Sequence, residues 1–435
     1  MEKVGPFLVL WLAVCSWSLV RAEFQTFRSP VISIGPGDVS EQYFRTKMPP
    51  GHVGIKSFFG EMVEEDGTPV PVSELYLHHW LVVRMHTKKN DDALLRGMKD
   101  VYAGNDGICQ GSILPQTFGS GSETRHTSYS LPDPYVVEIG NPDEVPYGYE
   151  EVWLLNVHGI DTRGAINPRF CLECRCESYN ISSVTSAGFH VPEDYVGGLR
   201  CCHNNEHCAV KEGFQGKKRD LYFQYTVEFL PMEPSLVPVN VYLLDVTDDR
   251  TSMEEKPRCK VEYHVEQCDK SKDSACLHEM KAVASLPNEK EVDVVYVNGH
   301  LHIGGHNIEL RHEDGGLICN SETIYGKGDE AGNEAGYVVG MTACYPERGT
   351  QRIKPGEELH IRAVYSSEEE HTGVMGLMYI LTAETLPEKD CHSFMWKTSG
   401  AVLVIALAIS IIGFSSYRYI STKRSSVGYE SLVQP

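Results

Sequence analysis

A His-x-His motif late in the chain has the residue types and spacing of a metal site. His300 and His302 follow the apolar run at residues 292–297. Residues at i and i+2 on an extended strand point to the same face, so the two imidazoles can share one metal ion. The same motif also occurs on exposed polar strand faces, so its meaning depends on what other ligands the chain offers.

Two adjacent histidines, His78 and His79, lie inside the apolar segment at residues 74–83. Neighbouring residues on a regular strand face opposite ways, which predicts one buried and one exposed histidine. Both can bind one metal only if the strand ends, twists or bulges there, or if the rings coordinate through different nitrogens.

Two further candidate ligands end or interrupt apolar strands. His158 closes the strand predicted at residues 151–159, and Met375 lies in the last strand, at residues 374–381. Each alone has a structural explanation, since a strand-end histidine is often hydrogen-bonded and a strand methionine usually packs in the core.

The candidates divide into two sets along the chain: His78, His79 and His158, then His300, His302 and Met375. Imidazole suits copper in either oxidation state, and a thioether favours Cu(I). Two separated copper sites suit one-electron chemistry, in which one ion stores an electron and the other meets oxygen. The GxSxG and HExxH signals of common hydrolases are absent.

Composition favours an all-β protein outside the nucleic-acid-binding class. The 435 residues are enough for two to three domains, with 39 Gly and 23 Pro and little helical periodicity. A net charge of −21 argues against a nucleic-acid partner, which would require a basic face.

The chain divides into a leader, two β domains, a membrane span and a tail. The leader has an apolar run at residues 7–14 and small residues at the cleavage positions; a retained N-terminal anchor fits less well because the run is short. Prolines at 231, 234 and 238 mark the domain boundary. The predicted segments are a signal peptide (1–22), a first β-sandwich domain (23–235) containing a Cys-rich segment (171–208), a second β-sandwich domain (236–390), a transmembrane helix (398–417) and a cytosolic tail (418–435).

Basic residues after the apolar span, Arg418, Lys423 and Arg424, place the tail in the cytosol. A GPI signal is the alternative, but it should end in its hydrophobic run. We therefore expect a single-pass type I membrane protein at the plasma membrane or endomembranes. Tyr429 and Leu432 resemble a tyrosine-based sorting signal read by clathrin adaptors, against the alternative of a plain disordered tail.

Thirteen cysteines remain once Cys15 leaves with the leader, and in a secreted chain they predict a disulfide framework. Zinc is the alternative at the CxxC clusters. The odd count leaves one free or intermolecular thiol, for which Cys391, just outside the membrane, is a candidate. The expected disulfide cysteines are Cys109, Cys171, Cys174, Cys176, Cys201, Cys202, Cys208, Cys259, Cys268, Cys276, Cys319 and Cys344. The Asn180 sequon lies among them and predicts a glycosylated surface loop.

Three motifs give the lumenal part a family resemblance: Pro50-Gly51-His52-Val53-x-x-Lys56-Ser57-Phe58, Tyr76-Leu77-His78-His79-Trp80, and Cys171-x-x-Cys174-x-Cys176 with Cys201-Cys202. They resemble the plant stress up-regulated nodulin (Nod nineteen) family over most of residues 30–385. The function of that family is poorly defined.

The same span is similar, more distantly, to the copper type II, ascorbate-dependent monooxygenases, of which the peptidylglycine hydroxylating enzyme is the type. The resemblance implies two copper ions, ascorbate as reductant and two stacked, jelly-roll-like antiparallel β-sandwiches. It also places Tyr379, four residues after Met375, on the substrate side. The residues that match the family's ligand motifs are His78, His79, His158, His300, His302 and Met375.

Two positions depart from that family. Asn298 occupies the place of an arginine that holds a substrate carboxylate, and Leu377 replaces a polar asparagine. The change at 298 removes a bidentate anion clamp, so a C-terminal glycine peptide is a poor candidate substrate.

The sequence therefore supports a membrane-anchored, copper-dependent monooxygenase-like ectodomain acting on a small or peptide substrate. A catalytically silent binding protein that keeps the β-sandwiches is the main alternative. Copper storage or sensing without turnover is the third.

Overall fold

The computed structural model describes residues 22–89, 101–102, 116–248, 258–272 and 274–385, and in these segments the protein is all-β. None of the helices in these segments is long and apolar enough to cross a membrane. The predicted signal peptide, membrane span and tail, together with Cys109, Cys391, Tyr429 and Leu432, lie outside the described residues, apart from Ala22.

The strands are short to medium in length and are numbered in chain order. They are β1 Glu23–Arg28, β2 Ile32–Ile34, β3 Val39–Thr46, β4 Val53–Val63, β5 Leu75–Lys88, β6 Val101–Tyr102, β7 Phe118–Ser120, β8 Tyr135–Ile139, β9 Tyr149–Asp161, β10 Arg219–Pro231, β11 Val237–Pro238, β12 Asn240–Asp245, β13 Glu262–Val265, β14 Leu277–Ala284, β15 Val292–Leu301, β16 Gly305–Arg311, β17 Leu317–Tyr325, β18 Val338–Met341, β19 Ala343–Cys344, β20 Arg352–Ile353, β21 Leu359–Ser366 and β22 His371–Glu384.

These strands form four sheets. The first sheet has the order β1-β10-β4-β8-β11 with β2 beside β10, and the second has the order β3-β9-β5-β6 with β7 beside β5. The third sheet has the order β12-β22-β15-β19 with β13 and β20 attached, and the fourth has the order β14-β21-β16-β17-β18. Pairing between the named strands is antiparallel except for β11 and β8.

The third sheet is buried on both faces. Along β22, Met375, Leu377 and Tyr379 pack in a core with the first two sheets, whereas Val374 and Met378 pack in a core with the fourth sheet. Successive strand residues face opposite sides, so one strand serves both cores. This double burial explains the apolar run at residues 374–381 of β22.

A stack of aromatic rings fills the core between the first and second sheets. The ring of Phe58 on β4 stacks on Trp80 at 5.1 Å, on Phe118 at 4.9 Å and on Tyr225 at 5.4 Å between centroids. Aromatic pairs in offset stacks add to the free energy of area burial. Because Trp80 lies on β5, this stack fixes the strand that carries His78 and His79.

Disulfides pin the Cys-rich segment, as the sequence predicts. Its helical parts are a short α-helix, Pro168–Leu172, and a 3₁₀ helix, Cys176–Tyr179. The bonded pairs are Cys171–Cys208, Cys174–Cys202, Cys176–Cys201, Cys268–Cys276 and Cys319–Cys344, and Cys259 is also disulfide-bonded. Asn180 is exposed at the end of the 3₁₀ helix, where a glycan would be accessible.

The described residues up to Thr385 form one compact unit. The boundary predicted at 235/236 falls inside it. The sheets do change near there, since β11 pairs with β8 and β12 begins the third sheet. The first two sheets are called the first half below, and the third and fourth sheets the second half. The shared core of the first three sheets accounts for the continuity.

Replacing Phe58 with alanine should lower the free energy of unfolding by about 3–5 kcal/mol, because it leaves a cavity among three stacked rings. Denaturant unfolding of the variant measures this loss. Phe24→Ala is the control, since Phe24 is 69% exposed and should change stability by less than about 0.5 kcal/mol. Equal losses in both variants would contradict this account of the core.

Candidate metal centre

A β-bulge on β5 brings His78 and His79 to one face of the second sheet. The pairing of β5 with β9 shifts between Leu77 and His79. Before the shift Leu77 points into the core, and after it Trp80 does. The extra residue therefore reverses the alternation, so that His78 and His79 both face away from that core. The bulge meets the condition that the sequence set for the two rings to share one metal.

His158 completes the first set from the neighbouring strand. It lies directly opposite His79 on β9, and its ring centroid is 5.0 Å from that of His79 and 4.8 Å from that of His78. One nitrogen from each of the three rings lies within 4.8 Å of the others. The structure thus brings together the three residues predicted for the first ion.

Hydrogen bonds orient two rings of this set. His158 Nε2 lies 2.9 Å from the carbonyl oxygen of Cys202, which makes Nε2 the protonated nitrogen and leaves Nδ1 free. His79 Nε2 lies 2.7 Å from Asn156 Oδ1. The partners of metal-binding histidines fix the tautomer in this way.

The second set lies on the face of the third sheet that packs against the first half. His300 on β15 pairs with Leu377 on β22, and Leu301 pairs with Gly376. Extending this register by one residue puts Met375 opposite His302. Residues directly opposite one another share a face, so His300, His302 and Met375 belong to one surface.

The two sets adjoin, which differs from the separated sites that the sequence suggested. The rings of His78 and His302 are in edge-to-face contact, with centroids 5.2 Å apart. Those of His300 and His302 are 5.1 Å apart. Packing of the third sheet on the first half causes the contact, and strand spacing alone could not reveal it.

The five histidines of the two sets are called the cluster below. Three buried imidazole nitrogens in it have no hydrogen-bond partner: His78 Nδ1, His158 Nδ1 and His302 Nε2. Unpaired buried polar atoms cost free energy, and metal coordination removes that cost. Burial, reinforced by the neighbouring imidazoles, lowers the pKa of His158 and of His302 to about 3 and that of His78 well below its usual range. The rings are therefore neutral, as a metal ligand must be.

A carboxylate that the sequence did not single out supports His300. Glu123, in a 3₁₀ helix at Ser122–Arg125, is buried, and its Oε1 accepts a 2.6 Å hydrogen bond from His300 Nδ1. Burial alone would raise the pKa of Glu123. The electrostatic attraction to His300 and the hydrogen bond with it outweigh burial and lower the pKa to about 2. The contact fixes the Nδ1–H tautomer of His300 and leaves its Nε2 for a metal.

Nothing in the local sequence marks Glu123, because it lies 177 residues from His300. Its side chain also accepts hydrogen bonds from Ser120 Oγ and the Gly121 backbone.

A second pair of the same kind, Glu173 with His371 at 2.7 Å, links the Cys-rich segment to β22. Buried charge-assisted bonds thus hold the halves together on either side of the cluster.

A cleft of about 370 Å³ opens onto the cluster. His79, His300 and Met375 line it together with Leu377 and Tyr379. The volume falls in the range of small-molecule sites. Candidate ligands from both sets are therefore reachable through one opening.

Tyr379, predicted to face the substrate, lies in the wall of this cleft. Gln116 Nε2 donates a 3.1 Å hydrogen bond to its hydroxyl oxygen. Burial raises the pKa of Tyr379, so it remains a phenol able to donate its proton in a hydrogen bond. Asn298, where the arginine clamp would lie, is buried and donates to the Gly299 carbonyl oxygen, which offers no charge to a substrate.

The alternative of a cysteine metal site is not favoured. Cys174 and Cys202 lie beside His78, but their sulfurs form a disulfide. A disulfide lacks the thiolates that bind metal.

Comparison with known families identifies the family to which the chain belongs. The model of the family described as stress up-regulated Nod 19 matches residues 21–385, which contain every candidate ligand. A search of curated proteins found no match.

Solved structures give only distant similarity. A cryo-EM structure of the Sputnik virophage is 9% identical and covers 88% of this chain and 90% of that one, with a TM-score of 0.21. Latent PorU from Porphyromonas gingivalis is 11% identical, covering 78% and 25%, with a TM-score of 0.19. Infectious bursal disease virus, Gx strain, is 10% identical, covering 85% and 71%, with a TM-score of 0.18. Scores this low carry no argument about fold or function.

The metal-free protein should lose stability as the pH falls below about 6.5, because the unfolded chain then binds protons that His158 and His302 exclude until about pH 3. Above pH 6.5 these rings are neutral in both states and contribute no slope. Each can lower the free energy of unfolding by up to about 1.4 kcal/mol per pH unit in that window. Denaturant unfolding at pH 7, 6 and 5 measures the decline, which should be shallower in His158→Gln; a variant with an unchanged slope would contradict the assignment.

Proposed function

Since the chain belongs to the stress up-regulated Nod 19 family, whose matched region holds the whole imidazole cluster, we propose that it is a copper-binding, monooxygenase-like ectodomain. The observation that carries the proposal is the clustering of five histidines from three separate strand regions, two of which line one cleft. Three of them keep an unpaired, buried nitrogen.

The donor set favours copper over zinc or a hard cation. Its donors are imidazoles and one thioether, and the carboxylate of Glu123 is engaged in hydrogen bonds with His300 and Ser120. Thioether and imidazole ligands select copper, whereas Mg²⁺ and Ca²⁺ require oxygen ligands. His78, His79 and His158 would hold one ion, and His300, His302 and Met375 the other.

Bound copper would supply one-electron transfer from ascorbate, so that dioxygen and a C–H bond yield a hydroxylated product and water with two electrons and two protons consumed. The chain itself fixes the ligands. Cys202 and Asn156 hold the tautomers of His158 and His79, and Glu123 holds that of His300. Locked tautomers keep the ligand nitrogens aimed at the ion without a cost in reorganisation.

The wall of the cleft beside Met375 is apolar, and the charged side chains of Glu41, Arg200, Lys260 and Glu262 also line the cleft. Leu377 and Met375 form its wall beside Tyr379, whose hydroxyl is oriented by Gln116. This surface suits a small molecule or a peptide segment that presents an apolar C–H bond and one hydrogen-bond acceptor to Tyr379.

The proposal includes the predicted location and organisation. The disulfides support an oxidising compartment. The first sheet packs against the second and the third against the fourth, which supports two stacked β-sandwiches. The membrane anchor at 398–417 and the adaptor-binding tail remain parts of the proposal.

Copper titration of the full-length chain in mild detergent tests the proposal first. We expect two tightly bound coppers per protein, measured by elemental analysis after dialysis. His300→Ala and Met375→Ala should each weaken one copper by at least about tenfold and leave the other, because each removes a donor from one set only.

The exposed His306 provides the matched control, and His306→Ala should keep both coppers. A parent protein that binds no copper tightly would contradict the proposal and favour a binding protein with structural histidines. Two coppers without ascorbate-dependent oxygen uptake on a broad substrate panel would favour copper storage or sensing.

Glu123→Gln should lower the affinity of the ion at His300 by about 10–100-fold, because the amide oxygen still accepts the hydrogen bond but no longer polarises the ring. Competition with a copper chelator measures it. Glu357→Gln is the control, since Glu357 makes a similar contact, at 2.7 Å, with His312 Nδ1 outside the cluster. Equal effects in the two variants would contradict a specific role for Glu123.

A further inference from the structure

We propose that the six ligands form a single binuclear copper centre at one cleft, in which His78 and His302 bind neighbouring ions and are in direct contact. The inference rests on the proposed copper function. It goes beyond that function because it makes the two ions one magnetically and electronically connected unit instead of two independent sites.

Ring contacts run through all five histidines without a break. The order is His79, His158, His78, His302 and His300, with successive centroids 5.0, 4.8, 5.2 and 5.1 Å apart. The link between the two sets is the edge-to-face contact of His78 and His302. Rings in such contact leave no room for solvent or a side chain between them.

The two ends of this series meet the same cleft. His79 and His300 both line it, whereas the three central rings do not and are almost fully buried. The series therefore curves, with its centre sealed inside the protein and both ends turned toward one opening. Two sites that served separate clefts would turn their outer histidines apart.

The donors suffice for two ions but are too many for one. Metal sites that keep an open position for a substrate typically use three protein ligands. Five imidazoles and the thioether of Met375 give three donors for each ion. The unpaired nitrogens belong to both sets, His78 and His158 in the first and His302 in the second, so neither set is satisfied without a metal.

Side-chain contacts between the two halves hold the two ligand sets together. Buried pairs across the halves, Glu123 with His300 and Glu173 with His371, hold the third sheet against the first half. The ring of His371 also lies against Gly304, where a Cβ would come within 2.4 Å of it, and so restrains the turn after His302. Separation of the two ligand sets would break all of these contacts.

The consequence concerns electron transfer. With copper bound to both sets, the His78–His302 contact would give a path through protein atoms for the transfer of one electron between the ions. No hinge motion and no bridging substrate are required for this step.

Electron paramagnetic resonance of the full-length protein loaded with two Cu(II) ions tests the inference independently of activity. We expect interacting spins, with an integrated intensity clearly below two per protein or a dipolar-broadened spectrum with a half-field signal. His302→Ala should remove one ion and leave the spectrum of an isolated Cu(II) with an intensity of one. His306→Ala should leave the interaction unchanged.

Each other outcome overturns the inference. Two coppers with full, unbroadened intensity would show independent sites and leave the proposed copper function standing. One copper per parent protein would show a mononuclear centre. A parent that binds no copper would remove the proposed function and this inference together.

Discussion

The packing of the third sheet against the first half of the chain is the constraint on which the centre depends. One face of β22 and β15 forms a core with the fourth sheet, so the other face must be covered by the first two sheets. Apolar residues cover most of that face, and His300 and His302 lie at the C-terminal end of β15. A small change in this packing would move His300 and His302 away from His78, because the two ligand sets lie on different sheets.

The bulge on β5 has a comparable effect at the local level. A regular strand would direct either His78 or His79 into the aromatic core around Phe58 and Trp80, where an imidazole would lack a partner. The extra residue at the bulge keeps Leu77 and Trp80 in that core and turns both histidines outward. Fold and site are therefore compatible only because the strand is irregular at this point.

Burial of so many titratable groups is destabilising unless each is partnered. Three rings have a hydrogen-bond partner for one nitrogen: His79 contacts Asn156, His158 contacts the carbonyl oxygen of Cys202, and His300 contacts Glu123. The remaining buried nitrogens on His78, His158 and His302 are a cost that packing does not remove. Proteins keep such groups where they perform a function, and a metal ion would offset the cost directly.

The sequence by itself determined the all-β class, the disulfide framework of the Cys-rich segment and the family, because these follow from local alternation, cysteine content and short motifs that the chain carries in order. It also singled out His78, His79, His158, His300, His302 and Met375 as candidate ligands, although it could not test whether they bind copper. Only the tertiary structure decided that the two histidine sets touch, that Glu123 supports His300 and that one cleft serves both sets. These facts depend on the packing of sheets whose contacting residues lie more than two hundred positions apart, and no local pattern encodes that contact.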